Sequence, residues 1–308
     1  MISLLVSLLP HLRIQAPHRI RNLISEHSNK NYSMAKPSHP MNLSLLRIAQ
    51  CKSTLYKYIK SSHFHITITV IGCGGTGSHF VLLLARMVHA YRSLYRNRDI
   101  SVILCDGDLV SPTNVSRQAF VTTEIGLNKA EALVTRYNHM YGFEWQAYTD
   151  YVNHARLNDI SANIIVTCVD KLQPRRIING LMKSAIKTDY GNDSRWQEPM
   201  LWIDTGNTRN TSNIFASVPG DKTIIDHYPN LKEDDTMPSC STAEALLNQS
   251  LFINTITADI AAMMLWDLLY LYKIPANTTF INLERLSIKQ SHEDNNSEWP
   301  HRQLTTAS

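Results

Sequence analysis

A chain of 308 residues has length for one large domain or two small ones, and a content of 44% hydrophobic and 18% charged residues is that of an ordinary globular protein. A net charge of +4 with no long block of Lys and Arg argues against direct nucleic-acid binding. The five cysteines are odd in number and form no C-x-x-C pair, which argues against a disulfide framework and against a paired-cysteine zinc site, and fits a reducing, cytoplasmic setting.

The opening "MISLLVSLLPHLRIQAP" has a short apolar run with no positive region before it, and Arg13 comes after it, so it does not read as a secretion signal. Residues 1–60, rich in Ser, Asn, His and Pro as far as Tyr58, are expected to form a mobile N-terminal extension. "HITITVIG" then reads as a buried strand ended by Gly72. Phe80, Leu83, Leu84, Met87, Val88, Tyr91, Leu94 and Tyr95 recur at helical spacing and predict a long helix. "ISVILCD" predicts a second strand ending at Asp106, and "NKAEALVTRYNHMYG" a second helix stopped by Gly142.

"EWQAYTDYV" and "NIIVTCVD" predict a third and a fourth strand, the latter ending at Asp170, and Pro174 to Lys187 a helix. "MLWIDTGN" and "NIFASVP" predict two more strands, followed by the polar loop "GDKTIIDHYPNLKEDDTMPSC" and helices over 242–249 and 251–273. The apolar stretch "TITADIAAMMLWDLLYLY" is interrupted by Asp259 and Asp267, so a buried helix is expected there, not a membrane span. "TFINLERLSI" predicts a last strand, and residues 289–308 a polar, disordered tail. Strands alternating with helices predict an α/β, Rossmann-like domain over 61–288, with a largely parallel sheet and helices on both faces. Ligands of such sheets bind beyond the carboxyl ends of the strands, where Gly72 to Gly77, Asp106 and Asp170 are all expected.

Gly72, Gly74 and Gly77 match G-x-G-x-x-G, a turn that lets backbone approach a phosphate at a helix start where Ser78 is placed to cap. That motif alone suits NAD, FAD, S-adenosylmethionine or ATP, or a tight turn without a ligand. Asp106, ending the second strand, is placed to hold a ribose. Asn114, Arg117, Gln118 and Lys129 then bring two cations and two amides beside the turn. A nicotinamide dinucleotide does not need so many; a triphosphate losing pyrophosphate does, because charge builds on the leaving oxygens.

Taken together, G-x-G-G-x-G-S, D-x-D-x-V, N-x-x-R-Q and G-x-x-K-A resemble the ThiF, MoeB and ubiquitin-activating enzyme superfamily over about residues 65–190. The later "DDTMPSCSTAEALLNQSLFIN" resembles a narrower branch, the ThiF-related proteins of the PRTRC plasmid cassette. The resemblance implies an adenylyltransferase that uses ATP and magnesium to activate the C-terminal glycine of a small ubiquitin-like protein. It implies that Asp106 holds the ribose and that Gly72, Gly74, Gly75, Thr76 and Gly77 form the phosphate turn. Asn114, Arg117, Gln118 and Lys129 would grip the phosphates, and Asp170 would hold magnesium or orient the adenylate. No base is needed, since the attacking carboxylate is ionised at neutral pH.

Relatives pair, and the apolar 255–272 segment adds to the expectation of a homodimer. Relatives also use an N-terminal arginine from a partner, for which Arg47 is a poor match, and zinc-binding relatives carry C-x-x-C pairs that this chain lacks, so no zinc is expected. Cys240, just before a predicted helix, is placed either to accept the activated carboxylate as a thioester or to serve structurally; Cys73, Cys105 and Cys168 read as packing residues. Two other classes stay open: a non-catalytic scaffold that keeps the nucleotide fold, and a nicotinamide- or flavin-dependent oxidoreductase.

Overall fold

The computed structural model describes residues 43–60, 64–95, 98–153, 162–185, 199–230, 250–273 and 275–291. The described elements begin with helix α1 (Leu43–Lys60), then β1 (Phe64–Ile71), α2 (Gly75–Leu94), β2 (Arg98–Cys105), α3 (Lys129–Tyr141), β3 (Gln146–Tyr148), β4 (Ile164–Thr167) and α4 (Leu172–Ala185). It continues with β5 (Leu201–Asn207), β6 (Thr211–Ser217), the one-turn α5 (Ile224–His227), α6 (Ile253–Leu271), β7 (Thr278–Asn282) and β8 (Ser287–Ser291).

The described strands form an eight-stranded sheet in the order β3-β2-β1-β4-β5-β6-β7-β8. The five strands from β3 to β5 run parallel, and β6, β7 and β8 are added antiparallel. Strand order reverses between β1 and β4, which opens a crevice at their carboxyl ends.

The period of two along each strand divides the core. Ile66, Ile68 and Val70 of β1, Ile100, Val102 and Leu104 of β2, and Leu201 and Ile203 of β5 belong to the cluster that holds Phe80 and Leu84 of α2, Leu133 of α3 and Leu265 of α6. Ile71, Ile103, Ile165 and Trp202 alternate with them and pack with Ile177, Ile178 and Met182 of α4. Helices thus cover both faces, as the alternating pattern implies. Each fully buried branched side chain contributes about 1.5–3 kcal/mol, so this alternation holds the register and with it the level of the strand ends.

Three elements differ from the sequence pattern. The expected extension over 1–60 meets α1, whose Leu55 and Ile59 are fully buried in the core. The single strand expected from "TFINLERLSI" is a hairpin, β7 and β8, reversing through Leu286 at a positive φ of 46°. β8 reaches Ser291, beyond the point at which the polar tail was expected to begin. The helix expected at 242–249 lies outside the described residues. α6 buries Ile253, Ala258, Ala261, Leu265, Leu268 and Leu269 in the core, while Met263, Tyr270 and Leu271 are exposed. No described helix is long and apolar enough to cross a membrane.

Candidate active site

The glycine turn sits at the reversal of strand order, and its glycines answer to different steric demands. Gly72 has a φ of +90°, and its N–H donates to the Cys105 carbonyl at 2.9 Å, so the end of β1 is tied to the end of β2. A Cβ on Gly77 would lie 1.9 Å from the Gly72 carbonyl oxygen, closer than any packing allows. A Cβ on Gly74 would meet nothing within 4 Å, because that glycine borders the open cleft. The first backbone bond of α2 runs from the Ser78 N–H to the Gly74 carbonyl at 3.0 Å. The amides of Gly75, Thr76 and Gly77 therefore precede the helical ladder and carry the positive end of its dipole. Ser78 does not cap this helix: its hydroxyl accepts the Ala119 N–H at 2.9 Å and donates to the Gly75 carbonyl.

At the end of β2, Asp106 is buried and both of its carboxylate oxygens accept backbone amides, from Cys73 at 2.5 Å and from Asp108 at 2.8 Å. Burial pushes its pKa up, against the pull of these two amides and Lys129. Asn128 caps α3, accepting from Ala130 and Glu131, while its amide donates to the Asp106 and Asp108 carbonyls. Lys129 follows, 7% exposed, and its ammonium donates to Asp108 Oδ2 at 2.8 Å. Tyr151 donates its hydroxyl to the other Asp108 oxygen. Burial works to raise the Asp108 pKa, but Lys129, Tyr151 and Lys171 together hold it below the usual carboxylate range.

Between Asp106 and α3 the chain carries Arg117 and Gln118. Their loop is clamped at Ala119, whose N–H meets Ser78 and whose carbonyl accepts from Arg136 at 2.8 Å, and Arg136 also pairs with Glu124. The His79 ring bonds the Arg117 backbone, and burial holds its pKa down. With the backbone so fixed, Arg117 and Gln118 line the cleft, and Arg117 Nε and Gln118 Oε1 are buried without a hydrogen-bond partner. Asn114 behaves differently. Its side-chain carbonyl accepts the Ser111 N–H at 2.8 Å inside a turn, and it is not among the residues lining the cleft. Asn114 is thus engaged within its own loop.

Across the crevice, Asp170 and Lys171 follow β4; both are exposed and line the cleft, and Lys171 lies 5.2 Å from the Tyr151 ring centre. Beneath them Arg175 Nε bonds both oxygens of the buried Asp204, at 3.0 and 3.1 Å, and its guanidinium also reaches the Thr205 carbonyl. This pair ties the first turn of α4 to β5. The cleft encloses about 350 Å³, bounded by the glycine turn, Asp106, Arg117, Gln118, Lys129, Asp170, Asn207 and Asn254 among others.

The residue types and spacing of the motifs thus bring together Gly72, Gly74, Gly75, Thr76, Asp106, Arg117, Gln118, Lys129 and Asp170 in one cleft, with Gly77 behind the turn. Asp108, Tyr151, Lys171, Asn207 and Asn254 also line it and were not singled out from sequence. Asn207 was findable, because it ends a strand at the edge where ligands bind; Asn254 closes the stretch "DDTMPSCSTAEALLNQSLFIN", but no strand end or spacing there points to the cleft. Cys73 and Cys105 are buried, and burial pushes the thiols of Cys105 and Cys168 up to about 12, which suits packing rather than nucleophilic roles. Cys240 and the Arg47 side chain lie outside the described residues. Among the described residues no three His, Cys, Asp or Glu side chains gather to hold a metal.

No curated protein matches the chain in sequence. Among solved structures, E. coli MccB with ATP is similar at 20% identity and a TM-score of 0.51, over 78% of this chain and 66% of that one. E. coli MccB with MccA is similar at 19% identity and a TM-score of 0.53, again over 66% of the MccB chain, so this chain spans about two thirds of that protein. PaaA is similar at 14% identity and a TM-score of 0.51, over 90% of this chain and 83% of that one. These likenesses establish the fold; the family follows from a match of the ThiF family model to residues 47–299, and the chain belongs to the ThiF family.

Proposed function

We propose that the chain adenylates a carboxylate with ATP. The observation that carries this reading is the pair of buried, unpartnered atoms, Arg117 Nε and Gln118 Oε1, on a cleft that also presents the free amides of a helix start. Unsatisfied buried polar groups cost about 1–3 kcal/mol each, and a ligand with phosphate and hydroxyl oxygens offers them partners. MccB, similar in fold, has been solved with ATP and with MccA.

In this reading Asp106 accepts from the ribose hydroxyls with lone pairs not taken by its two amide donors. Gly74, Gly75 and Thr76 present backbone to the phosphates. A carboxylate oxygen attacks the α-phosphorus, the bond to the bridging oxygen of pyrophosphate breaks, and Arg117 neutralises charge gathering on the leaving group. Lys129, half of an ion pair with Asp108, holds the loop at the ribose and supplies local positive charge. The site also fits magnesium. Asp170 is a single exposed carboxylate, and magnesium is commonly held by one or two carboxylates together with substrate phosphates; bound there, it would neutralise phosphate charge. The acceptor in this reading is the C-terminal glycine of a small ubiquitin-like protein, the enzyme is a cytoplasmic homodimer of the PRTRC branch, and Cys240 is a candidate for a later thioester.

Heat stability tests the nucleotide choice. ATP with magnesium is expected to raise the melting temperature more than NAD or S-adenosylmethionine at equal concentration, by linkage. A larger shift with NAD would overturn the reading in favour of an oxidoreductase.

A further inference from the structure

One wall of the cleft is built by two asparagines that lie outside the glycine, aspartate and cation motifs, Asn254 closing the later stretch "DDTMPSCSTAEALLNQSLFIN". Asn207 ends β5 and Asn254 lies in the first turn of α6. The amide nitrogen of Asn207 donates to Thr76 Oγ1 at 2.7 Å and to Asn254 Oδ1 at 2.9 Å. Thr76 donates its hydroxyl to the same Asn254 oxygen at 3.0 Å, and Thr257 donates to Asn207 Oδ1 at 3.0 Å. The Asn254 amide lies where a Cβ on Gly75 would come within 2.6 Å of it.

Two consequences follow for the start of α2. The Thr76 hydroxyl gives its one proton to Asn254 and accepts from Asn207, so it has no proton left for a ligand, and the donors that Gly75 and Thr76 can offer the cleft are their backbone N–H groups. The aim of those groups is set by the carboxamide packed on Gly75. Anion binding at a helix start depends on such aim, and a displacement of about 1 Å at a reacting group can cost on the order of a hundredfold. The chemistry of the cluster is also suited to the place: it is built from neutral amides and hydroxyls, where a carboxylate would stand beside the phosphates and repel them.

Resting on the ATP reading above, we propose that Asn207 and Asn254 are positioning residues for the triphosphate. They fix the phosphate-binding amides of the glycine turn from β5 and α6, and they take no part in holding the ribose, which is left to Asp106 on β2.

The test is the ratio of ATP to adenosine affinity, measured by calorimetry on the full chain. In Asn254→Leu the carboxamide is lost without added charge. In Asn254→Asp the acceptor for Thr76 and Asn207 is kept, so this variant is expected to fold, but a negative charge is placed beside the phosphates. In each folded variant the ATP Kd is expected to rise about tenfold or more, the scale of one charge-assisted hydrogen bond, while the adenosine Kd stays within about twofold. A merely structural role would weaken both ligands alike or neither, and that result in either variant would overturn the proposal. If the unaltered protein binds no ATP, the nucleotide reading itself fails before any variant is compared.

Discussion

The glycine turn and the loop between Asp106 and α3 face the same cleft, yet they are held by different physics. In the turn, side-chain absence does the work: a Cβ at Gly77 would collide with the Gly72 carbonyl, and one at Gly75 with the Asn254 amide. In the loop, side chains are divided between framework and ligand. Asn114 and Asp108 are engaged within the protein, while Arg117 Nε and Gln118 Oε1 are not. A motif therefore states which residues reach a site, but in a polar loop it does not state which of them have hydrogen-bonding capacity left for a ligand.

The sharpest way to break this comparison is within the turn. Gly77→Ala is expected to cost more than about 3 kcal/mol, because the obstacle is backbone and cannot swing away. Gly74→Ala should change stability by less than about 1 kcal/mol, since its Cβ would enter open space. Urea unfolding of the two proteins measures the difference, and equal losses would show that sterics do not distinguish these glycines.

The loop offers the next largest contrast. Arg117→Ala and Gln118→Ala are expected to weaken ATP binding about tenfold or more without lowering unfolding stability, because each removes a buried group that lacks a partner in the free protein. Asn114→Ala should lower stability by about 1 kcal/mol through loss of its bond to Ser111, with the smaller effect on ATP. Calorimetry beside urea unfolding checks both columns, and a reversed pattern would reassign the framework and ligand groups.

A smaller effect sharpens the role of Asp108. Its folded pKa lies below the ordinary 3.8, so its ionised form adds stability above that pH, and the contribution is lost as pH falls through the folded value. The stability gap between the natural protein and Asp108→Asn should therefore be constant near neutral pH and close below about pH 4. A gap unchanged down to about pH 2 would show that the carboxylate charge is not its source.

Much of this was legible in the sequence because β-branched runs and 3.6-residue spacing report directly on burial. β1, β2, β4 and β5, and the placement of Asp106 just past the end of β2, follow from those periods; β4 ends at Thr167, short of the expected end at Asp170. α1 is obscured by the polar composition of its segment, although Cys51, Leu55, Tyr58 and Ile59 have helical spacing and are buried positions. The β7–β8 hairpin escaped because its reversal, from Leu283 to Leu286, contains no Gly or Pro to mark it. In the site, Asn254 was illegible because it meets Thr76 across 178 residues, a contact only the packing of α6 on α2 creates.

The central claim is tested most directly by ATP–pyrophosphate exchange with small proteins or peptides that end in glycine, each assayed with a free C-terminal carboxylate and as its C-terminal amide. Exchange is expected with the carboxylate alone, and it should be abolished in Asp170→Ala without loss of the folded state. A protein that binds ATP yet exchanges pyrophosphate with neither form, or equally with both, would contradict adenylation of a carboxylate.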